Sequence, residues 1–421
     1  MNKLNVFYEA IKVGEFRRDE QLVTSFQYSE EWLKEEARFP LSFALPLQKD
    51  PFPNKTTLSF FENLLPEGDV RKVIGQDRHI ESPYEFLKEF GQDCAGAIIV
   101  TSAPISPYQK TGDDLVPVPM DRIYSAIDKH HSVAHEIAKL NPGYLSLAGA
   151  QDKFPAIFEK DKFYLPKNGG PTTHIVKVPI VREGVKESVY NEYYCMQLAA
   201  SIGFTVPYCE VIESGKFPLF VIDRYDRYKD NKGKVHRIHQ QDFCQALGVT
   251  SEFKYEDKGG PSIKDNFTLI VASVGIRQRR ESIYAFLDWI CFNILILNND
   301  SHSKNISLLL KDGKIELAPF YDLLCTGVYP NLKRNFSFKI GDRDDPSRIG
   351  KKQFEMLDHH LDLKVGTFEE RMQNVAQLTM QSKDQVAQDI LERYPAAKLP
   401  KRISKLIGDQ VKALKQQGVR L

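Results

Sequence analysis

The sequence predicts an α/β (α+β) chain in three parts: a small α/β unit, a small β-rich lobe with one helix, and a large helical lobe. Three observations predict it. Short strand-like runs such as LNVFYE and GAIIV alternate with helical stretches over residues 1–101. Runs rich in β-branched and aromatic residues dominate from KFPAIFEKDKFYLP to KFPLFVIDRYDR. From about residue 240 the pattern becomes mostly helical and stays so to the end. At 421 residues the chain is also long for a single core, so two or three lobes are expected.

Taken in order, SFFENLLPEGDVRKVIG and SPYEFLKEF read as helices of the first unit. SAPISPYQKTGDDLVPVPM (102–120) has four prolines and little periodicity, the composition of a linker. KFPAIFEKDKFYLP and THIVKVPIV are strand-like and broken by GG and Pro. SVYNEYYCMQLAASIG has helical spacing and ends at Gly203, a residue suited to a C-terminal cap. KFPLFVIDRYDR returns to strand character. The expected boundaries are 1–101 for the first unit, 102–142 for the linker and the start of the β-rich lobe, 143–227 for that lobe, and 228–421 for the helical lobe. No internal repeat or low-complexity tract interrupts this order. A small β lobe feeding a large helical lobe is a layout in which nucleotide sits at the junction, an inference by analogy of fold.

Composition narrows the function classes. Hydrophobic content of 42% and charged content of 27% are those of a soluble globular protein. A formal net charge of +1 gives no overall pull toward nucleic acid or membrane, so such a partner would need a local patch. The six cysteines are scattered without CxxC spacing, which predicts reduced thiols in a cytoplasmic protein and no disulfide framework or zinc site. The opening MNKLNVFYEA lacks a basic segment followed by a long apolar run, and no window nears 18 consecutive apolar residues. Neither a signal peptide nor a membrane span is expected.

The stretch FNILILNNDSHSKNISLLL (292–310) encloses six polar residues, Asp300 to Asn305, between two apolar runs. Charges held in such flanks are costly unless they pair or work. Asp300 and Asn305 stand in D-x-x-x-x-N spacing, which in phosphoryl transfer sets a carboxylate beside the attacking hydroxyl and a neutral oxygen ligand on Mg²⁺. Lys304 could lie against a γ-phosphate. The spacing alone is more often a polar turn bonding its own backbone. Asp322, in LAPFYDLLCT (317–326), follows 17 residues after Asn305 across the hairpin-like ISLLLKDGKIELA. A hairpin folded back would bring the two together as oxygen ligands for one cation; alone, Asp322 caps a turn equally well.

Three weaker pieces precede these. Lys177 sits in the strand-like THIVKVP, where a buried lysine needs an anion and a solvated one is unremarkable. Glu192, fifteen residues on, opens a helix and either pairs with Lys177 or simply favours the helix N-terminus. GYLSLAGAQDKFPA (143–156) places small residues ahead of a strand, where backbone N–H groups can approach phosphate, but it matches neither glycine-rich fingerprint. FVIDRYDR (220–227) is a strand ending in charges, able to offer backbone to an adenine edge.

In chain order these pieces resemble the HipA family of bacterial serine/threonine kinases, the toxin halves of HipB–HipA toxin–antitoxin pairs. The resemblance rests on SLAGAQDK (146–153), PTTHIVKVP (171–179), NEYYC (191–195), DRYDR (223–227), YEDKGGPSI (255–263), NDSHSKN (299–305) and PFYDLL (319–324). FPLSFALPLQ (39–48) and FFENLLPEG (60–68) look like the family's N-terminal domain. The family implies a two-lobed protein-kinase-like fold behind that domain, using ATP and Mg²⁺. By the resemblance, Ala148, Gly149, Ala150, Gln151, Asp152 and Lys153 would cover the ATP phosphates and Lys177 would contact them. Asp223, Arg224 and Tyr225 would form the hinge against adenine. Asp300 would be the catalytic base, with His302, Ser303, Lys304 and Asn305 completing its loop. Tyr321 would border the nucleotide, and Asn305 with Asp322 would hold Mg²⁺. Ser146 matches the family's phosphorylatable serine; a phosphate there adds roughly two negative charges where ATP phosphates must sit, a self-inactivation. The implied partners are a helix-turn-helix antitoxin of the HipB type, operator DNA mainly through that antitoxin, and a protein substrate among translation components such as an aminoacyl-tRNA synthetase. Two departures stand out: Asp223 replaces the glutamate more usual at the hinge, and Tyr321-Asp322-Leu323 stands where ordinary protein kinases carry Asp-Phe-Gly.

Two other readings compete with the kinase. A metal-dependent hydrolase would use Asp300, His302 and Asp322, few ligands for a two-metal site. A non-catalytic regulatory protein would act through an antitoxin and DNA. KLPKRISKLIGDQVKALKQQGVRL (398–421) has seven Lys/Arg against one acid, but Ile403, Leu406, Ile407, Val411 and Leu414 fall on one helical face. An amphipathic helix with a solvated basic face is the preferred account of it.

Overall fold

The computed structural model describes residues 2–110, 115–141, 143–144, 148–167 and 169–421, with Gln109 and Lys110 by backbone alone. It is an α/β protein, as expected, and divides into two compact units. The first comprises Met1–Val178, Ile212–Ser251 and Leu308–Gly313; the second comprises Pro179–Val211, Glu252–Ser307 and Lys314–Leu421.

The first unit starts with an antiparallel sheet in the order Thr24–Tyr28, Ile11–Arg18, Asn2–Tyr8, Ile98–Thr101. Strand alternation puts Leu4, Val6, Val13, Phe16 and Phe26 into one core with Trp32, Phe61, Phe86 and Phe90. Phe16 stacks on Phe61 at 4.4 Å. Gly14 is needed there, because a Cβ would lie 2.3 Å from the Gln27 carbonyl oxygen. Two of this unit's helices begin where a side chain satisfies their first N–H groups: Ser29 accepts from Trp32, and Ser82 forms a capping box with Glu85 ahead of Pro83. SFFENLLPEGDVRKVIG is not one helix. It splits into Asn54–Phe61, a short 3₁₀ turn and Gly68–Arg78, because Pro66 has no N–H to continue a helix and Leu65 before it is extended.

A second sheet of this unit runs in the order Leu115–Pro117, Lys162–Pro166, Lys153–Glu159, His174–Lys177, Leu219–Asp223. The helices Met120–Asp128 and Val133–Leu140 share its core through Ile123, Ile127, Ile137, Phe154, Val176 and Val221.

The second unit is built from the helices Ser188–Ser201, Ile263–Ser273, Ile276–Leu295, Lys351–His360, Thr367–Arg393 and Leu399–Gln416. Ser188–Ser201 starts four residues before Glu192, so Glu192 does not open the helix; it lies buried in the second turn. Gly203 follows this helix at φ +93, where the chain must turn left-handed. Leu399–Gln416 buries Ile403, Ile407, Val411 and Leu414 and exposes Lys401, Arg402 and Lys405. All six cysteines are buried free thiols. Among the described residues no helix is long and apolar enough to cross a membrane.

Candidate functional site

In the first unit Lys153 and Lys177 face one another across neighbouring strands, with Phe220 opposite Lys177 on its other side. Two ammonium groups directly opposite on one sheet repel each other, so an anion between or above them is stabilising. Lys177 is buried. The chain just ahead holds Gly149 at φ +104, a conformation that favours glycine, and a Cβ there would lie 2.9 Å from the Lys153 Nζ. Gly149 thus brings bare main chain against an ammonium group, and its carbonyl accepts from the Glu67 N–H at 3.0 Å. Ala148 and Gly149 are half-buried and Ala150 is exposed. Gln151 donates to the Val178 carbonyl at 3.2 Å. Asp152 is committed elsewhere: its carboxylate accepts from Val133 at 2.5 Å and Ala134 at 2.9 Å, starting the helix Val133–Leu140. Burial pushes its carboxyl up despite those hydrogen bonds. Ser146, the expected phosphorylation position, lies outside the described residues.

The residues expected at the hinge differ in what they leave available. His174 accepts the Phe158 amide on Nδ1 at 3.2 Å and turns Nε2 to the Asp223 carboxylate at 3.1 Å. Tyr225 donates its hydroxyl to Gln240. Arg224 is fully engaged, since its N–H donates to Thr173 and its carbonyl accepts from Arg227. Its guanidinium belongs to a buried cluster in which Arg224, Arg227 and Arg237 surround Asp93 at 3.0, 2.9 and 3.4 Å. Asp226 pairs with Arg224 and Arg227. Burial alone would raise the Asp93 carboxyl; the three guanidinium groups outweigh it and hold it below the usual carboxylate range. Asp226 likewise comes down to about 2, against the opposing effect of burial.

In the second unit the helix Ile276–Leu295 leads through Leu297, at φ +53, into the polar loop. Asn298 donates to Asn293 at 2.8 Å and accepts from the Asp300 N–H at 3.2 Å. Asn299 accepts the Ser337 hydroxyl on its carbonyl and donates its N–H to the Thr326 hydroxyl oxygen. Ser303 exchanges hydrogen bonds with Asn266 at 3.0 and 3.1 Å. From Asn298 to Asn305 every side chain is buried except that of Asp300. One oxygen of the Asp300 carboxylate accepts the Tyr255 hydroxyl at 2.7 Å.

The chain then doubles back, Ala318 donating to the Ser307 carbonyl at 2.9 Å. Tyr321 donates to the Lys304 carbonyl at 2.7 Å, and Asn298 reaches the Asp322 carbonyl at 3.4 Å. The return that the spacing suggested therefore brings the Tyr321-Asp322 segment onto the loop. Asp322 sits at φ +58, an uncommon conformation that aspartate tolerates. Asn305 spends its amide NH₂ on the Asp300 carbonyl at 2.9 Å, which leaves its side-chain oxygen as what it can offer a cation. Two oxygen donors suit Mg²⁺, which keeps waters and phosphate oxygens in its sphere. Among the described residues no group of three His, Cys, Asp or Glu is gathered for a metal.

A family model described as the HipA-like C-terminal domain matches residues 145–390, and the HipA N-terminal domain model matches 4–101. The chain is 36% identical over 400 residues to Y4mE of Sinorhizobium fredii, a kinase by name, covering 93% of each. The chain belongs to the HipA family. The serine/threonine-protein kinase toxin HipA of Shewanella oneidensis is 29% identical over 357 residues, 80% of this chain and 78% of that one. A solved Shewanella oneidensis MR-1 complex of HipA, HipB and operator DNA matches with a TM-score of 0.82 at 23% identity, over 99% of this chain and 100% of its counterpart. The chain thus has the HipA fold and is a kinase of the HipA-like toxin family. Sequence reasoning gave no role to several residues of these arrangements: around the loop, Asn298, Asn266 and Thr326 as scaffold and Tyr255 on the Asp300 carboxylate, and, in the first unit, Asp93 at the centre of the arginine cluster. Tyr255 had a signal in its YEDKGGPSI motif; Asp93 had none.

Proposed function

We propose that this chain transfers the γ-phosphate of ATP to a serine or threonine of a protein, with Asp300 accepting the proton of the attacking hydroxyl. The observation that carries the reading is the loop Asn298–Asn305, whose side chains are buried and whose backbone is pinned while the Asp300 carboxylate alone stands exposed. A base must be held still and yet reach its proton. Lys177, Lys153 and the main chain of Ala148–Gln151 receive the phosphates, Lys304 offsets charge at the γ-phosphate, and His302 and Ser303 complete the loop. Asp223 and Tyr225 meet the adenine, while Arg224 holds their strand end from behind. Tyr321 borders the nucleotide. The Asn305 side-chain oxygen and the Asp322 carboxylate would hold Mg²⁺, which would supply positive charge against the phosphoryl oxygens. Phosphorylation of Ser146 would switch the enzyme off by charge.

The Shewanella complex of HipA, HipB and operator DNA supports a HipB-type antitoxin as partner; by the family resemblance it is a helix-turn-helix protein through which the chain mainly reaches operator DNA. The family supports a cytoplasmic setting and a translation component as substrate. The test is intact mass spectrometry of wild type and Asp300→Ala after incubation with Mg²⁺-ATP, followed by peptide mapping. One added phosphate at Ser146 in the wild type alone supports the reading. No gain in either, from folded and unmodified protein, favours a non-catalytic partner of the antitoxin.

A further inference from the structure

The segment Tyr255–Gly260 is built to deliver one hydroxyl. Two backbone donors, Lys258 and Gly260, converge on the Tyr255 carbonyl at 3.1 and 2.9 Å. Gly259 takes φ +82, and a Cβ on Gly260 would lie 1.9 Å from the Phe253 carbonyl oxygen, so the paired glycines are what let this turn close. The next residue, Glu256, is anchored on both sides: its N–H donates to the Ser337 carbonyl at 3.3 Å and its carboxylate accepts the Lys339 N–H at 2.8 Å. The Tyr255 ring meets His302 edge-on at 5.1 Å. Lys254, Lys258 and Lys333 bring ammonium groups to 5.4, 5.7 and 5.6 Å from its ring centroid, within cation–π range. Everything that fixes the ring points its hydroxyl at Asp300 Oδ1, 2.7 Å away.

We infer that Tyr255 is a positioning residue for the base, an inference that rests on the kinase reading of Asp300. A phenol donates one proton, so it occupies one carboxylate oxygen and fixes the carboxylate plane. The other oxygen is left for the acceptor hydroxyl. Nearby cations polarise the phenol and strengthen this donation. Asp300 is then held at three points: its N–H by Asn298, its carbonyl by Asn305 and one carboxylate oxygen by Tyr255. The contact with the nucleotide is untouched by this arrangement, so its loss is expected in turnover and not in nucleotide affinity.

The test compares wild type, Tyr255→Phe, Asp300→Asn and the double variant. Phosphate incorporation from Mg²⁺-ATP is followed by mass spectrometry, and affinity for a non-hydrolysable ATP analogue by calorimetry. Phenylalanine keeps the ring on His302, and an unchanged analogue affinity reports an intact fold. The expected result for Tyr255→Phe is a rate at least about tenfold lower, the smaller end for a hydrogen bond to a charged group. The double variant should be no slower than Asp300→Asn, because Tyr255 acts only through Asp300. A normal rate in Tyr255→Phe beside a dead Asp300→Asn overturns the role of Tyr255 alone, as does further slowing in the double variant. A normal rate in Asp300→Asn, or none in the wild type, overturns the base assignment and the role of Tyr255 with it.

Discussion

Asp93 and Asp300 are two aspartates buried to opposite degrees, and the difference separates a structural charge from the charge we propose to work. Asp93 is wholly enclosed, and three guanidinium groups converge on its two oxygens. Asp300 has its backbone fixed as firmly, yet its carboxylate is exposed and one oxygen receives a single hydroxyl. In the first case the neighbours satisfy the charge; in the second they satisfy everything around it. A carboxylate enclosed by cations is held ionised and out of reach, whereas one fixed through its backbone keeps an oxygen open to a further partner.

The largest way to break this contrast is Asp93→Ala. Removing one partner of a buried ion cluster leaves uncompensated charge, and the expected loss in unfolding free energy is roughly 3–5 kcal/mol. Urea denaturation reads it, and a loss below about 1 kcal/mol would mean that the arginines find other partners.

Next comes a buried titratable group whose burial outweighs the pull of the Asp226 carboxylate. His239, stacked on Phe39 and donating Nε2–H to Leu41, is lowered to about 4, first by its burial. The fold therefore holds it neutral, while the unfolded chain titrates near 6.5. Its stability contribution is complete above pH 6.5 and is lost as pH falls toward 4, up to about 3 kcal/mol. A stability profile flat between pH 6.5 and 4.5, or unaltered in His239→Gln, would contradict this.

Asp300→Ala sharpens the other side. Phosphotransfer should fall at least roughly 10²-fold, while unfolding free energy moves by no more than about 0.5 kcal/mol, as for an exposed site. A large loss of stability would place Asp300 with Asp93 as a structural charge.

The smallest effect is expected at the exposed pair Lys333–Asp257, 2.6 Å apart. Lys333→Ala should cost at most about 0.5 kcal/mol and lose that effect in high salt. A salt-independent loss would mean that its place beside Tyr255 matters more than its ion pair.

What the sequence made legible follows the range of the interactions. The loop from Asp300 to Asn305 declared itself because charges between apolar runs are a local anomaly. The return of Asp322 was legible because a hairpin-like stretch separates it from Asn305. The break at Pro66 follows from the missing N–H, yet the apolar spacing on either side masks it. Glu192 was misplaced within its helix because Ser188, Val189 and Tyr190 extend that helix backwards without a cap side chain. The Asp93 cluster and the Tyr255–Asp300 contact were invisible for another reason. They join residues 131 and 45 positions apart, and no periodicity encodes which charge or hydroxyl meets which partner across such distances.

The buried cluster also sets a timetable. Asp93 leaves the ribosome 131 residues before Arg224, and at 5–20 residues per second that gap lasts roughly 7–26 s. During it the carboxylate can find Thr172 but no cation of its cluster, and burying it would cost several kcal/mol. The N-terminal sheet can pair early, but its corner at Asp93 closes only once Arg224, Arg227 and Arg237 have been made. The first domain to be synthesised is thus finished by residues that arrive more than halfway along the chain.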